Sequence, residues 1–150
     1  MSVAPLSTTA PVPRAGETLP QVARTVDQAT IDAYARASGD FNPIHVDPAF
    51  AATGPFGRTI AHGLMTLAYV AEMLNGWSRG AFDAAGTLDI AFVGPVFAGD
   101  RVEVNGTVDD VGEQDGRAVA SITLEAKAGE RTILAGRARI PLATQSGTMA

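Results

Sequence analysis

Residues 61–74 (AHGLMTLAYVAEML) are the most apolar stretch of the 150-residue chain, and they decide its fold class. Apolar side chains recur at helical spacing and also occupy the other faces, so the pattern predicts a helix over residues 62–74. A helix that is apolar almost all round is buried on several sides. The polar residues His62, Thr66 and Glu72 interrupt the run, which argues against a membrane span.

Beyond this helix the pattern changes to short strands separated by turn residues. Alternating or β-rich segments occupy residues 87–93, 102–108, 118–126 and 132–140. The pair Asp115-Gly116 is a hairpin signal between the second and third of them. Residues 21–26, which precede the helical part, indicate an edge strand. Helices followed by a run of strands predict an α+β fold with an antiparallel sheet.

Two further helix boundaries are predicted on the N-terminal side. Asp27 is a suitable N-cap for a helix that Gly39 ends in the left-handed conformation. The pair Asp47-Pro48 indicates a second start, with proline at the first helical position, for about one turn over residues 49–52.

The chain length fits one domain with a sizeable core. Residues 1–16 are rich in Ser, Thr, Ala and Pro and predict a mobile N-terminal tail. The predicted domain covers residues 17–143, and residues 144–150 form a polar C-terminal tail.

Composition excludes several classes of function. Hydrophobic residues make up 46% and charged residues 18% of the chain, which is a globular balance. The net charge of −5 argues against a nucleic-acid surface. Without cysteine there are no disulfides, thiolate metal sites or cysteine nucleophile, and two histidines make a metal site improbable. No secretory signal pattern is present, so we expect a cytoplasmic protein.

Residues 38–45 (SGDFNPIH) bring a carboxylate and an imidazole close together in sequence. Asn42 precedes a proline, which disfavours helix and predicts an extended or turn conformation. Asp40 and His45 are therefore expected on a loop between two helices, where catalytic groups are commonly presented. Phe41 is expected to pack beneath this loop. Asp40 could equally be a turn residue, and a lone histidine could be a core residue.

Residues 57–63 (GRTIAHG) end where the apolar helix begins. The N–H of Gly63, in the first turn, is a ready donor for a developing oxyanion. An acid, an imidazole and such a donor are the minimum equipment for proton chemistry beside a carbonyl. A glycine at this position could also serve only close packing, and we interpret His62 as a structural residue that holds the loop before Gly63.

These two motifs, extended to residues 38–48 (SGDFNPIHVDP) and 57–66 (GRTIAHGLMT), resemble the signature of the MaoC-like, (R)-specific enoyl-CoA hydratases. The resemblance is dense over residues 37–67 and weaker over 87–142. It implies a single hot-dog domain, in which a curved antiparallel sheet wraps around a central helix. It also implies reversible syn addition of water to a trans-2-enoyl thioester, without a cofactor or metal.

In the implied mechanism, Asp40 and His45 hold one water, and the Gly63 N–H binds the thioester oxygen as it gains enolate character. Some members of the family carry a serine in the central helix where this chain has Ala71, so a hydrogen bond from that serine is missing. The candidate substrate-binding residues, for the acyl group and the carrier phosphates, are Asn42, Phe56, Arg58, Leu64, Met65 and Tyr69. Arg58 could also be an ordinary exposed arginine.

Three functions stay open from the sequence. The first is hydration of an acyl-CoA, or the reverse dehydration. The second is the same chemistry on an acyl-carrier-protein thioester, as a 3-hydroxyacyl dehydratase of fatty-acid or polyketide synthesis. The third is a hot-dog thioesterase or acyl-CoA-binding protein. Because hot-dog domains of this size leave a sheet face and the cleft edge exposed, a homodimer is expected.

Overall fold

A computed structural model describes residues 12–142, which fold into five strands and five helices. In chain order the elements are β1 Val22–Val26, α1 Gln28–Ser38, α2 Pro43–Val46, α3 Pro48–Ala52, α4 Gly63–Ser78, α5 Ala81–Ala85, β2 Thr87–Phe92, β3 Asp100–Gln114, β4 Arg117–Ala128 and β5 Arg131–Pro141. The strands form one antiparallel sheet in the order β1-β3-β4-β5-β2. The α+β prediction is confirmed, and β1 is an edge strand as expected. None of the helices within residues 12–142 is long and apolar enough to cross a bilayer.

The β3–β4 hairpin follows from its turn residues. Asp115 and Gly116 both have positive φ, 52° and 76°. A two-residue turn of this kind matches the right-handed twist of the strands and favours a small polar residue followed by glycine. The hairpin prediction is confirmed. Register shifts occur near Val108 in β3 and near Ala126 in β4, and such bulges increase the local twist of a sheet.

Helix α4 packs its inner face against the sheet. Its buried residues are Met65, Thr66, Val70, Met73, Leu74 and Ser78. The prediction that this helix is buried on several sides is wrong within a single chain, because Leu64 is 60% exposed and Ala68 is also exposed. The helix also runs past the predicted end and stops where Arg79 adopts the left-handed conformation, with φ 53°.

The chain packs on β3 from before the predicted domain boundary at residue 17. Pro13 is buried. The Gly16 N–H donates to the Val108 carbonyl at 2.7 Å, and the Leu19 N–H donates to the Gly106 carbonyl. The predicted N-terminal tail therefore includes residues that contact the sheet. Residues 1–11 of that tail, and the predicted C-terminal tail 144–150, lie outside the described residues.

Helix α1 begins and ends as predicted. The Asp27 carboxylate accepts hydrogen bonds from the Thr30 hydroxyl at 2.6 Å and the Thr30 N–H at 2.8 Å. Gly39 ends the helix with φ 77°, and its N–H donates to the Ala35 carbonyl. These local signals therefore set the entry to the loop that carries Asp40.

We expect Asp27 to make the stability of the protein sensitive to acid. The hydrogen bonds from the Thr30 hydroxyl and N–H lower the pKa of Asp27 in the folded state. Its contribution is therefore full above the pKa of the unfolded chain and is lost as the pH falls through the lower folded value.

Asp27→Asn keeps a capping oxygen but does not titrate. Thermal unfolding followed from neutral to acid pH should show a shallower decline for this variant, whereas Asp27→Ala should be less stable at neutral pH. An unchanged acid profile in Asp27→Asn would contradict the assignment.

Candidate active site

The segment that carries Asp40 and His45 differs from the predicted loop. Asn42 is extended, with φ −54° and ψ 128°, as the following proline requires. Its side-chain oxygen accepts the Ile44 N–H at 3.1 Å, however, and so caps the one-turn helix α2. His45 therefore lies in the last turn of a short helix, because an N-cap followed by proline at the first position starts a helix even in four residues.

Asp40 lies between α1 and α2 with an exposed side chain. One carboxylate oxygen accepts the Asn42 N–H at 3.1 Å. This bond is the local turn contact that an ordinary loop aspartate makes. It also fixes the direction of the carboxylate, so the turn role and a catalytic role are compatible. Phe41, by contrast, is 58% exposed, and the prediction that it packs beneath the loop is wrong.

The ring of His45 is oriented by the second motif. Its Nδ1 lies 2.7 Å from the Ile60 carbonyl oxygen. Because a carbonyl can only accept, Nδ1 carries the hydrogen, and Nε2 of the neutral ring presents a lone pair. The Ile60 N–H in turn donates to the Ile44 carbonyl at 3.2 Å. Two hydrogen bonds thus join residues 57–63 to helix α2, one from the His45 ring and one to the backbone carbonyl of the preceding residue, Ile44.

His62 lies at the centre of the two motifs and is only 3% exposed. Its Nε2–H donates to the Asp40 backbone carbonyl at 2.9 Å. Its ring stacks on that of His45, with centroids 3.9 Å apart and 27° between the planes, and it also contacts Tyr34. These contacts agree with the predicted structural role and extend it to the Asp40 loop.

Asp40, His45 and His62 are also the group whose donor atoms could in principle hold a cation, since these atoms lie within 4.8 Å of one another. The ring nitrogens left by the hydrogen bonds are His45 Nε2 and His62 Nδ1. An ion shared by two imidazoles must lie near both ring planes. In stacked rings, an ion in the plane of one ring lies above the face of the other. The geometry therefore suits a small hydrogen-bonding molecule better than a metal, whose absence stays a prediction.

Gly63 is the first residue of α4, and its N–H points out of a helix end. First-turn N–H groups have no acceptor within the helix, and the His62 side chain does not cap this one. A pocket of about 390 Å³ adjoins Gly63. It is lined by Phe56, Ile60, Ala61, His62, Gly63, Thr66, Phe92, Val93, Gly94, Pro95, Val96 and Ile133.

The pocket contains some of the predicted substrate residues and not others. Phe56 lines it together with Gly63, which was predicted as a catalytic residue, whereas Met65 is 4% exposed and belongs to the hydrophobic core. Leu64 lies on the exposed face of α4. Tyr69 is half-buried near the Arg24–Glu72 ion pair, and burial raises its pKa. For Met65 and Tyr69, the packing of α4 directs the side chains elsewhere than the pocket.

The two remaining candidates also have defined places. The Asn42 side-chain oxygen accepts the Ile44 N–H and so caps α2. The Arg58 guanidinium lies over the Phe97 ring, 3.8 Å from its centroid. Phe97 is joined to the pocket wall, because Ile60 and Phe97 form a bridge.

Sequence reasoning missed most of the pocket wall. Thr66, Phe92, Val93, Val96 and Ile133 come from α4, from the end of β2, from the segment that follows it and from β5. Phe92 lies near the end of the predicted strand 87–93, just before Gly94-Pro95. This position at a strand end was the sequence feature that could have indicated a place in the site. Thr66 lies one helical turn after Gly63, whereas the antiparallel pairing of β2 with β5 brings Phe92, Val93 and Ile133 together.

Comparison with known proteins assigns this arrangement to a family. The 3-hydroxyacyl-thioester dehydratase Z of Mycobacterium tuberculosis is 39% identical over 108 residues, which cover 67% of this chain and 72% of that protein. The (R)-specific enoyl-CoA hydratase of Aeromonas caviae is 36% identical over 95 residues, covering 63% and 69%. The solved structure of the A. caviae (R)-hydratase matches with a TM-score of 0.76 and 28% identity, covering 89% of this chain and 100% of that one.

Together with the sheet, the central helix and the site at its start, these similarities define a hot-dog hydro-lyase of the hydratase and dehydratase type. A family model described as the MaoC like domain matches residues 11–130. The chain belongs to this family, so the resemblance seen in residues 38–48 and 57–66 and the predicted hot-dog fold are confirmed.

Proposed function

We propose that the protein adds water reversibly, with syn stereochemistry, to a trans-2-enoyl-CoA and so forms an (R)-3-hydroxyacyl-CoA. The observation that carries the proposal is the separation of the Asp40 and His45 donor atoms, which is at most 4.8 Å. Two hydrogen bonds of about 2.8 Å to one water, at its tetrahedral angle, span about 4.6 Å. This limit is compatible with one water molecule shared by the two side chains, which is the arrangement that we propose.

The chemistry follows from the groups around that water. Its oxygen forms a bond to C3 of the substrate while the Asp40–His45 pair takes one of its protons. The π electrons of the double bond move toward the thioester oxygen, and the pair returns a proton to C2 on the same face. His45 takes part through Nε2, because Ile60 holds Nδ1–H. Two coupled groups share this proton, so the base is the pair rather than either residue.

Gly63 supplies the third element. Its N–H, at the positive end of the 16-residue helix α4, binds the thioester oxygen as negative charge develops. One such donor contributes about 3–4 kcal/mol to transition-state stabilisation in other enzymes. The adjoining pocket, with Phe56 and Phe92 in its wall, would take the acyl thioester.

The experiment that tests this proposal follows crotonyl-CoA in two ways at once. Loss of the conjugated absorbance reports hydration, and a thiol reagent reports hydrolysis of the thioester. We expect hydration without thiol release. Thiol release without hydration would instead establish a thioesterase, and neither change would leave a binding protein. A much higher rate on a crotonyl acyl-carrier protein than on crotonyl-CoA would move the function to fatty-acid or polyketide synthesis.

Arg58 is proposed to bind the phosphates of the CoA carrier. The face of its guanidinium group packs on the Phe97 ring, and Arg58 forms no ion pair among the described residues. The N–H groups at the edge of the guanidinium can therefore donate to a phosphate. We expect Arg58→Ala to raise KM for crotonyl-CoA about tenfold, the loss of one charge-assisted hydrogen bond, with kcat little changed. KM for crotonyl-pantetheine, which lacks the nucleotide phosphates, should not change. The matched control is Arg139→Ala, an exposed arginine of β5; an equal effect there would contradict a specific role for Arg58.

A homodimer is proposed as the working form. Phe56, Phe92 and Val93 are each more than two-fifths exposed and share one pocket, and Phe92 ends the edge strand β2. An apolar patch of this kind on a sheet edge marks an interaction surface. Light scattering at micromolar concentration should give about twice the chain mass of 15.4 kDa, and a monomer would contradict the proposal.

A further inference from the structure

His62 contacts all three parts of the site without being part of the proposed reaction. It donates a hydrogen bond to the Asp40 backbone, its ring lies against His45, and it is the residue immediately before Gly63. We propose that His62 is a positioning residue, which sets the distance between the carboxylate of Asp40 and the ring of His45. The proposal rests on the hydratase function proposed above and concerns the same water site.

The first contact fixes Asp40. The Asp40 backbone carbonyl accepts the His62 Nε2–H, while the Asp40 carboxylate holds the N–H of Asn42. Asp40 is exposed and lies between two helices, and its own N–H donates to the hydroxyl of Ser38, a neighbour in sequence. The bond to His62 is thus the tie that joins this residue to the start of α4.

The second contact fixes His45. The hydrogen bond from Nδ1 to the Ile60 carbonyl restrains rotation of the ring about the Cβ–Cγ bond, but it does not by itself limit the tilt of the ring. The His62 ring, stacked at 3.9 Å, closes one face and so sets the direction in which Nε2 points. Tyr34 backs His62 from another side, with ring centroids 4.8 Å apart.

The remaining nitrogen of His62 indicates that these two contacts, and not packing alone, explain why a histidine occupies position 62. Its Nδ1 is buried and has no hydrogen-bond partner among the described residues. A buried polar atom without a partner carries a free-energy cost, which a phenylalanine or leucine would avoid. Histidine at this position combines a flat ring for His45 with an N–H for Asp40, which neither apolar residue supplies.

The two contacts can be separated by substitution. His62→Gln keeps an N–H at about the reach of Nε2 but removes the ring, and His62→Phe keeps the ring but removes the N–H. His62→Leu removes both. Since a misplacement of about 1 Å can cost up to about 100-fold in rate, we expect each single loss to lower kcat about tenfold and the double loss about 100-fold. KM for crotonyl-CoA should change much less than kcat, because His62 contributes little exposed surface to the pocket wall and the other wall residues and Arg58 remain.

A readout independent of turnover comes from the Asn42 amide, which the Asp40 carboxylate holds. Its hydrogen exchange in the ligand-free protein should be faster in His62→Phe and unchanged in His62→Gln. The Thr30 amide, held by Asp27 at 2.8 Å, is the matched control and should stay unchanged in both. This comparison distinguishes a local release of Asp40 from general destabilisation, which thermal unfolding of each variant also measures.

The outcomes are decisive in each case. The positioning role is supported if kcat falls as described and only His62→Phe and His62→Leu release the Asn42 amide. It is overturned if folded variants keep the wild-type kcat, or if activity falls only in proportion to unfolding while Asn42 exchange is constant. If the unmodified protein hydrates no enoyl thioester, the proposed function fails, and Asn42 exchange still decides whether His62 holds Asp40.

Discussion

Asp40→Asn and His45→Gln are each expected to lower kcat for crotonyl-CoA hydration at least 100-fold while the fold stays intact. Asparagine can still accept the Asn42 N–H, so the turn is kept, but it cannot take a proton from water. Glutamine replaces a ring that is half-buried, and it has no basic nitrogen. Positioned acid–base groups typically contribute about 10²–10⁴ in rate, which sets the expected loss. Steady-state kinetics with thermal unfolding of each variant checks it.

The matched control is Asp47→Asn, seven residues after Asp40 and also in a capping turn. Asp47 accepts the Phe50 N–H at 3.1 Å and begins α3, and asparagine caps a helix about as well. We expect a near-normal rate for this variant. If Asp40→Asn behaved like Asp47→Asn, Asp40 would be an ordinary turn residue and its catalytic assignment would be wrong.

The parts of the fold that depend on neighbouring residues could be predicted from the sequence. The cap at Asp27, the left-handed Gly39 and the Asp115-Gly116 hairpin each follow from the backbone preferences of one or two residues. Alternation predicted where β2 to β5 lie, although β3 continues to Gln114, six residues past the predicted segment 102–108. The proximity of an acid and an imidazole followed from the spacing in residues 38–45.

The parts that depend on distant residues could not be predicted in this way. Helix α5 is only five residues long, too short for a periodic pattern. The stacking of His62 on His45 joins residues 17 positions apart through the bond of each histidine to a backbone carbonyl. The exposed face of α4 was predicted to be buried because its residues are apolar. The sequence does not show which neighbouring residues, if any, cover an apolar side chain.

Gly63→Ala is expected to lower the activity strongly while the fold stays intact. The added Cβ would lie 3.3 Å from the Phe92 side chain, and a shift of a few tenths of an ångström relieves that contact, so stability should change little. The methyl would occupy the mouth of the pocket next to the N–H that is proposed to bind the thioester oxygen. Alanine keeps the backbone N–H, but its methyl would keep the thioester oxygen away from that donor. Losing one such donor lowers kcat about 10²–10³-fold in other enzymes, and we expect a loss of up to this size.

Two further variants separate the donor from the ring. Gly76 lies in the same helix with nothing within 4 Å of an added Cβ, so Gly76→Ala should keep kcat and gain helix stability of up to about 1 kcal/mol. Phe92→Ala combined with Gly63→Ala removes the ring that the methyl would meet. If the donor governs the rate, the double variant stays as slow as Gly63→Ala. Recovery of kcat in the double variant would show that the methyl acts only through Phe92, and the oxyanion role of Gly63 would then have to be abandoned.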